Sequence, residues 1–341
     1  MIESPESESG AAASPSAPPV AIEACGLRKS YGELEAVRGV DLTVRRGEVF
    51  CLLGPNGAGK TSVVEILEGY RTASGGEARV LGIAVGGSTT AARDLRERVG
   101  IVLQSCGVQK DLTVAELVEM YGRYHRRPRP VDEVLRLVEL EAKRDERAGE
   151  LSGGQRRRLD LALALIGDPE LIFLDEPTTG FDPAARRQAW SAIRSLCELG
   201  KTVFLTTHFM DEAQYLGDRV AVMRAGEIIA EGTPDELGGR DRRPAEIRFT
   251  LPDAVTLDAL PDVPRERLTL DSGQALVLTR QPVRAAHLIT GWALERGIEL
   301  GSFRIAQPTL EDIYLELTGG EGGEGGESAS ESTPASQEIP A

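Results

Sequence analysis

The chain has 341 residues, 41% of them hydrophobic and 27% charged, which is enough for a substantial core and about two domains. Its formal net charge is −15, but residues 1–20 hold three glutamates and residues 319–341 five, with no Lys or Arg in either end, so the part between is only mildly acidic and no nucleic-acid partner is expected. No run approaches the roughly 18 to 20 uninterrupted apolar residues of a helical membrane span, and Cys25, Cys51, Cys106 and Cys197 lack metal-ligand spacing and read as reduced thiols.

Residues 1–19 are Ser, Glu, Pro and Ala without a basic start or an apolar stretch, so they read as a disordered tail and not as a signal peptide. Two strand-like segments follow, with Tyr31 in the turn between them. Val49 to Leu53 is a short apolar run, and Thr61 to Leu67 has apolar residues at helical spacing. Between them lies Gly54-Pro55-Asn56-Gly57-Ala58-Gly59-Lys60-Thr61-Ser62, a glycine-rich loop at a strand-to-helix turn. There the glycines let backbone amides approach a β-phosphate, the helix N-terminus adds partial positive charge, Lys60 reaches the β/γ oxygens, and the Thr61 hydroxyl can ligate Mg²⁺. ATP and Mg²⁺ are the expected ligands.

Val99 to Leu103 is the next strand-like run, ended by Gln104, and residues 114 to 138 read as ordinary amphipathic helices. Leu151-Ser152-Gly153-Gly154-Gln155 then precedes the helical run Arg156 to Ile166. Ser152 is a good N-cap, and two small glycines beside it leave amides and the helix dipole free to hold an anion. Leu171 to Asp175 with Glu176 is an apolar strand ending in two carboxylates, which delivers charge to the carboxyl edge of a sheet. Successive strand side chains point to opposite faces, so these two acids take different tasks. Thr179-Gly180-Phe181-Asp182 follows, and Thr202 to Thr207 is a further strand ended by His208.

The motifs together resemble the ATP-binding-cassette family, whose signature is LSGGQ. The resemblance implies an α/β fold: a mainly parallel sheet with flanking helices, an N-terminal antiparallel part and a helical subdomain over residues 114–138 that meets a membrane partner. It also implies roles for the remaining residues. Tyr31 would stack on adenine, and Gln104 would touch Mg²⁺ and water. Asp175 would hold Mg²⁺ with Thr61, Glu176 would polarise the attacking water, and His208 would bond the γ-phosphate. Asp182 would lie in the segment facing a second copy, where Phe181 replaces the commoner leucine. Ser152, Gly153, Gly154 and Gln155 would clamp the γ-phosphate held by the phosphate loop of that second copy, giving a homodimer closed on two ATP.

The cassette is expected over residues 20–237. Gly238 to Pro244 reads as a linker, and residues 245–318 as a small α+β unit. Its strands are expected at Glu246 to Leu251, Ala275 to Thr279 and near Ile298 to Ile305, and its helices at Val283 to Arg296 and Leu310 to Leu317. Residues 319–341 are a Gly/Glu/Ser tail. The ending Pro308 to Gly319 resembles that of daunorubicin-resistance-type exporter ATPases, whose permease is a separate polytopic chain. That implies a subunit held peripherally on the cytoplasmic face of the membrane and energising efflux of a hydrophobic compound. An importer ATPase and a non-transport cassette ATPase stay open as alternatives. A β-rich barrel would be expected at the C-terminus of the first, and two cassettes or a long coiled-coil insertion in the second.

Overall fold

The computed structural model describes residues 19–102, 109–252, 255–256, 259–271 and 273–317. The two expected tails, apart from Pro19, lie outside the described residues, as do Gln104 and Cys106.

Strands β1 (Val20–Tyr31) and β2 (Leu34–Arg45) form an antiparallel pair. In β2, Val40, Leu42 and Val44 are buried and their neighbours Asp41 and Thr43 exposed, the alternation of a strand with one face on a core. β3 (Val49–Leu53) is buried at all positions, as a central parallel strand requires. It leads through the glycine loop into α1 (Lys60–Leu67), then β4 (Gly75–Val80), β5 (Ile83–Ala84), α2 (Thr89–Arg98) and β6 (Val99–Val102).

The helical part follows as α3 (Val114–Gly122), α4 (Val131–Leu137) and α5 (Gly153–Leu165). α3 opens on a capping box in which Thr113 accepts from the Glu116 amide and Glu116 from the Thr113 amide. The chain returns to the sheet with β7 (Leu171–Asp175), α6 (Pro183–Glu198), β8 (Thr202–Thr207), α7 (Met210–Leu216), β9 (Arg219–Arg224) and β10 (Glu227–Gly232).

Two sheets result. One is antiparallel, in the order β2-β1-β4-β5. The other has the order β10-β9-β3-β8-β7-β6, parallel except for the edge hairpin β9-β10. Register matters most for the site. Leu53 pairs with Thr207 and Asp175 with Thr206, so the carboxyl ends of β3, β8 and β7 finish side by side. Phe50, Phe173 and Phe204 fill the space beneath, the Phe204 ring lying 5.5 Å from that of Phe50 and 5.7 Å from that of Phe173, centroid to centroid.

Glu170, just before β7, joins distant parts of this frame. It accepts from Arg98 Nε at 2.5 Å and Nη2 at 3.1 Å, and from Arg46 Nη1 at 2.5 Å. Arg98, then Arg46, overcome the cost of burial and bring the carboxyl pKa down to about 2. A depressed folded-state pKa contributes stability above the unfolded value near 4.5, lost as pH falls through about 2. With the group 40% exposed, solvent screening reduces the contribution to about 1 kcal/mol. Glu170→Gln should therefore be less stable than the parent at pH 7, and denaturant titrations between pH 5 and 2 should show the difference shrinking.

The C-terminal unit comprises β11 (Ala245–Thr250), β12 (Arg267–Asp271), β13 (Gln274–Thr279), α8 (Pro282–Glu295), β14 (Gly301–Ala306) and α9 (Leu310–Leu317). Its antiparallel sheet runs β12-β13-β11-β14, and α8 turns Ala285, Ile289, Trp292 and Ala293 into the core on it. Four expectations are corrected here. The sequence pattern marks no strand over Arg267–Asp271, where β12 runs. The last strand begins at Gly301 and not at Ile298, because Gly297 turns the chain with φ +66°. The Gly238 to Pro244 segment is no loose linker: a tight turn spans Leu237–Arg242, and Arg240 donates to Gln214 Oε1 (2.5 Å) on α7 and to the Pro308 carbonyl (2.6 Å). Moreover α9, which the sequence grouped with the C-terminal unit, places Leu310 and Tyr314 in the cassette core with Ala213 and Leu216 of α7.

Candidate functional site

The loop after β3 is shaped by close backbone approach. A Cβ at Gly59 (φ +103°) would sit 2.2 Å from the Ala36 carbonyl oxygen, and one at Gly54 would sit 2.4 Å from that of Met223. No side chain caps the first turn of α1, so its amides remain available to an anion. Tyr31, Asn56, Gly57, Gly59, Lys60, Thr61, Ser62, Asp175, Glu176 and His208 all line one open cleft of about 640 Å³, with Leu34, Ala36 and Thr179. Ala58 is buried beneath it.

Lys60, only 5% exposed, donates to the carbonyls of Gly54 (2.8 Å) and Pro55 (3.1 Å) and lies 3.4 Å from Glu176 Oε1. Burial lowers its pKa, and Glu176 offsets part of that. His208 Nδ1 is 3.3 Å from Glu176 Oε2, close enough for an ion pair when protonated but without hydrogen-bond alignment. Thr179 donates to Glu176 Oε2 at 3.1 Å. Burial alone would raise the Glu176 pKa, yet Lys60 and His208 hold it below the usual value, so the group stays a carboxylate.

The backbone of Glu176 has φ +46°, in the left-handed region that costs a non-glycine residue about 1–3 kcal/mol. Its amide donates to both the carbonyl (3.2 Å) and the hydroxyl (3.1 Å) of Thr206, which hold it there. The same Thr206 hydroxyl donates to Asp175 Oδ1. The two acids thus leave the strand in different directions for a reason beyond strand alternation: the chain turns sharply between them.

Asp175 and Thr61 both line the cleft, and a carboxylate beside a hydroxyl is the hard-oxygen donor set that suits Mg²⁺. Behind them Glu68 is buried with Oε1 unpartnered, and burial, then the charges of Asp175 and Glu65, push its pKa up to about 8. Tyr31 is 38% exposed at the rim. Its hydroxyl is 3.2 Å from Ser62 Oγ, and Lys29 and Arg71 lie 5.2 and 5.5 Å from the ring centroid. A flat base stacking there would meet a ring already flanked by cations.

The remaining predicted residues lie elsewhere. Ser152 and Gln155 form a capping box at the start of α5, and a Cβ at Gly153 or Gly154 would meet nothing within 4 Å. None of these four lines the cleft that holds Lys60. Asp182 caps α6, accepting from the amides of Ala184 (2.8 Å) and Ala185 (2.9 Å). Sequence reasoning missed Thr206 and Thr179. Tandem threonines ending an otherwise apolar strand were the available signal for the first.

A glycine loop at the end of the central parallel strand β3, a buried lysine and a carboxylate pair at the end of β7, one strand beyond β8, define a P-loop nucleotide-binding protein. Comparison with known proteins makes this specific. The family described as ABC transporter matches residues 37–179, and a C-terminal domain of ABC transporter domain-containing proteins matches residues 245–309. Nod factor export ATP-binding protein I of Rhizobium meliloti (strain 1021) is 40% identical over 309 residues, covering 89% of this chain and 90% of its own. Daunorubicin resistance ATP-binding protein DrrA3 of Streptomyces coeruleorubidus is 39% identical over 312 residues, covering 88% and 96%. Among solved structures, cbiO1 of Clostridium perfringens, part of the transporter complex cbiONQ, aligns with a TM-score of 0.59 at 29% identity, over 64% of this chain and 90% of that one. The dimeric cassette MJ0796 bound to ADP and Pi aligns at 0.56 and 27%, over 62% and 98%. The chain belongs to the ABC transporter ATPase family. It is an ATPase, and no helix among the described residues is long and apolar enough to cross a membrane.

Proposed function

We propose that this chain is the ATP-hydrolysing subunit of an export system, acting as a homodimer on the cytoplasmic ends of a separate membrane permease. The observation that supports hydrolysis best is the convergence of Lys60, His208 and Thr179 on one carboxylate, Glu176, inside the phosphate-loop cleft. A γ-phosphate entering the cleft competes for Lys60 and His208. Glu176, released from them, is then available to orient a water and draw its proton. Asp175 and Thr61 would hold Mg²⁺, which would supply positive charge to offset that developing on the phosphates. Gln104 completes this set in the resemblance but lies outside the described residues.

A second copy is needed because Ser152, Gly153 and Gly154 stand apart from their own chain's cleft with open space around the two glycines. In the closed dimer the amides at the start of α5 would meet the γ-phosphate bound by the other copy. Asp182, serving its own helix as a cap, fixes the segment that would face that copy. Tyr31 would contribute a stacking face for adenine. The direction of transport is carried by relatives named for Nod factor export and daunorubicin resistance, each matching nearly nine-tenths of the chain.

The reading is tested by capturing tagged Glu176→Gln with ATP from detergent-solubilised membranes and identifying its companions by mass spectrometry. A polytopic membrane chain with an ATP-dependent dimer is expected. Recovery with ribosomal proteins, or with no membrane chain, would favour a non-transport cassette ATPase.

A further inference from the structure

Glu212 lies on α7, four residues beyond His208, and is fully buried although it is a carboxyl group. Its Oε1 accepts from the Thr178 hydroxyl at 2.8 Å and from the Trp190 indole N–H at 2.9 Å, and Oε2 has no hydrogen-bond partner. The three residues come from different parts of the site. Thr178 is two residues beyond Glu176, whose carboxylate the adjoining Thr179 holds. Trp190 is on α6, the helix that Asp182 caps. The Thr207 hydroxyl, which accepts from the Phe209 amide at 3.0 Å and so fixes the turn carrying His208, also interacts with the Glu212 carboxyl.

Burial of a carboxyl group is costly unless something compensates, and an apolar residue of the same size would pack against α6 without that cost. What an apolar residue cannot do is tie a strand end, a post-strand turn and a helix to one point. The surroundings repeat the link: the Trp190 and Tyr215 rings stack with centroids 5.1 Å apart, and the Arg186 guanidinium of α6 sits 4.1 Å from the Phe209 centroid, itself 4.1 Å from that of His208.

We infer that Glu212 is a positioning residue for ATP hydrolysis: its buried carboxyl group, by accepting from Thr178 and Trp190, sets the spacing between Glu176 and His208 and makes α6 follow the His208 turn. It touches neither nucleotide nor water. The inference rests on the ATPase reading of the same cleft. Because catalysis depends on placement at the ångström level, loosening this tie is felt in turnover before it is felt in binding.

The test compares kcat, KM for ATP and thermal midpoint in the full chain for Glu212→Ala, Glu212→Gln and Thr178→Val. Glu212→Ala should lower kcat by roughly 10- to 100-fold with KM changed by no more than about 3-fold, since it removes geometry and not a phosphate contact. Glu212→Gln keeps the accepting oxygen and should recover kcat to within about 3-fold of the parent. Thr178→Val should lower kcat by about 3- to 10-fold and add nothing further to Glu212→Ala, because both break one link. A folded Glu212→Ala protein with parental kcat, or a Gln variant as slow as Ala, would overturn the inference. If the Ala protein does not fold, Thr178→Val decides, and parental kcat there overturns it. A parent protein without ATPase activity, or a fully active Glu176→Gln, would instead overturn the reading of the cleft itself.

Discussion

Glu176→Gln should lower ATP turnover by roughly 10² to 10⁴ through loss of the group that draws a proton from water, while ATP affinity becomes no weaker. The geometry separates the two effects. The amide keeps the shape of the side chain, and the left-handed backbone at this position is held by Thr206 through the Glu176 amide, which the substitution leaves in place. Lys60 loses its anionic partner but retains the carbonyls of Gly54 and Pro55, so the loop keeps its form. In the parent, ATP must draw Lys60 and His208 away from the Glu176 carboxylate, and in the variant that competition is gone. The protein should therefore accumulate as an ATP-bound dimer. Phosphate release, nucleotide titration and light scattering measure the three consequences, and normal turnover would remove Glu176 from the mechanism.

Lys60→Ala should act at the other end of the cycle, weakening ATP itself by about 1.5–3 kcal/mol, the range of a charge-assisted hydrogen bond. That is roughly 10- to 150-fold in affinity. The loss has three sources. The phosphates lose their buried cation, and the Gly54 and Pro55 carbonyls lose the donor that draws them together. Glu176 is left in the cleft without its main counter-charge, so incoming phosphates meet an unscreened carboxylate. Equilibrium binding of a fluorescent ATP analogue measures the effect. Affinity equal to the parent's would show that Lys60 serves the loop and not the nucleotide.

Much of the site was legible because its signals are local. A short apolar run such as Val49 to Leu53, or the apolar and β-branched run Thr202 to Thr207, has few alternatives to a buried parallel strand, and the glycines after the first can be read against the helix that follows. Where a residue depends on a distant partner, sequence is silent. Nothing near Glu176 announces φ +46°, since Thr206, thirty residues on, supplies both acceptors for its amide. Arg240 looked like part of a charged linker because its partners are Gln214 and Pro308. β12 has exposed or half-exposed residues throughout, so periodicity could not mark it, and pairing with β13 defines it. The amphipathic pattern of α9 showed that one face is buried but not that α7 covers it. The signature residues could be recognised by pattern, while their distance from the cleft is a property of the fold.

The placement of α9 changes what kind of object the C-terminal unit is. Since the Arg240 side chain bonds the Pro308 carbonyl and the helix after Pro308 rejoins the cassette core, the chain leaves the cassette and comes back to it at neighbouring points. The small sheet with α8 is thus a detour inserted into the ATPase, and the last helix is a piece of the ATPase delivered late. Nature or an engineer can replace such a detour with another of different size by joining its two adjacent ends. Simple truncation after residue 244 would instead strip Leu310 and Tyr314 from α7, the helix that follows His208.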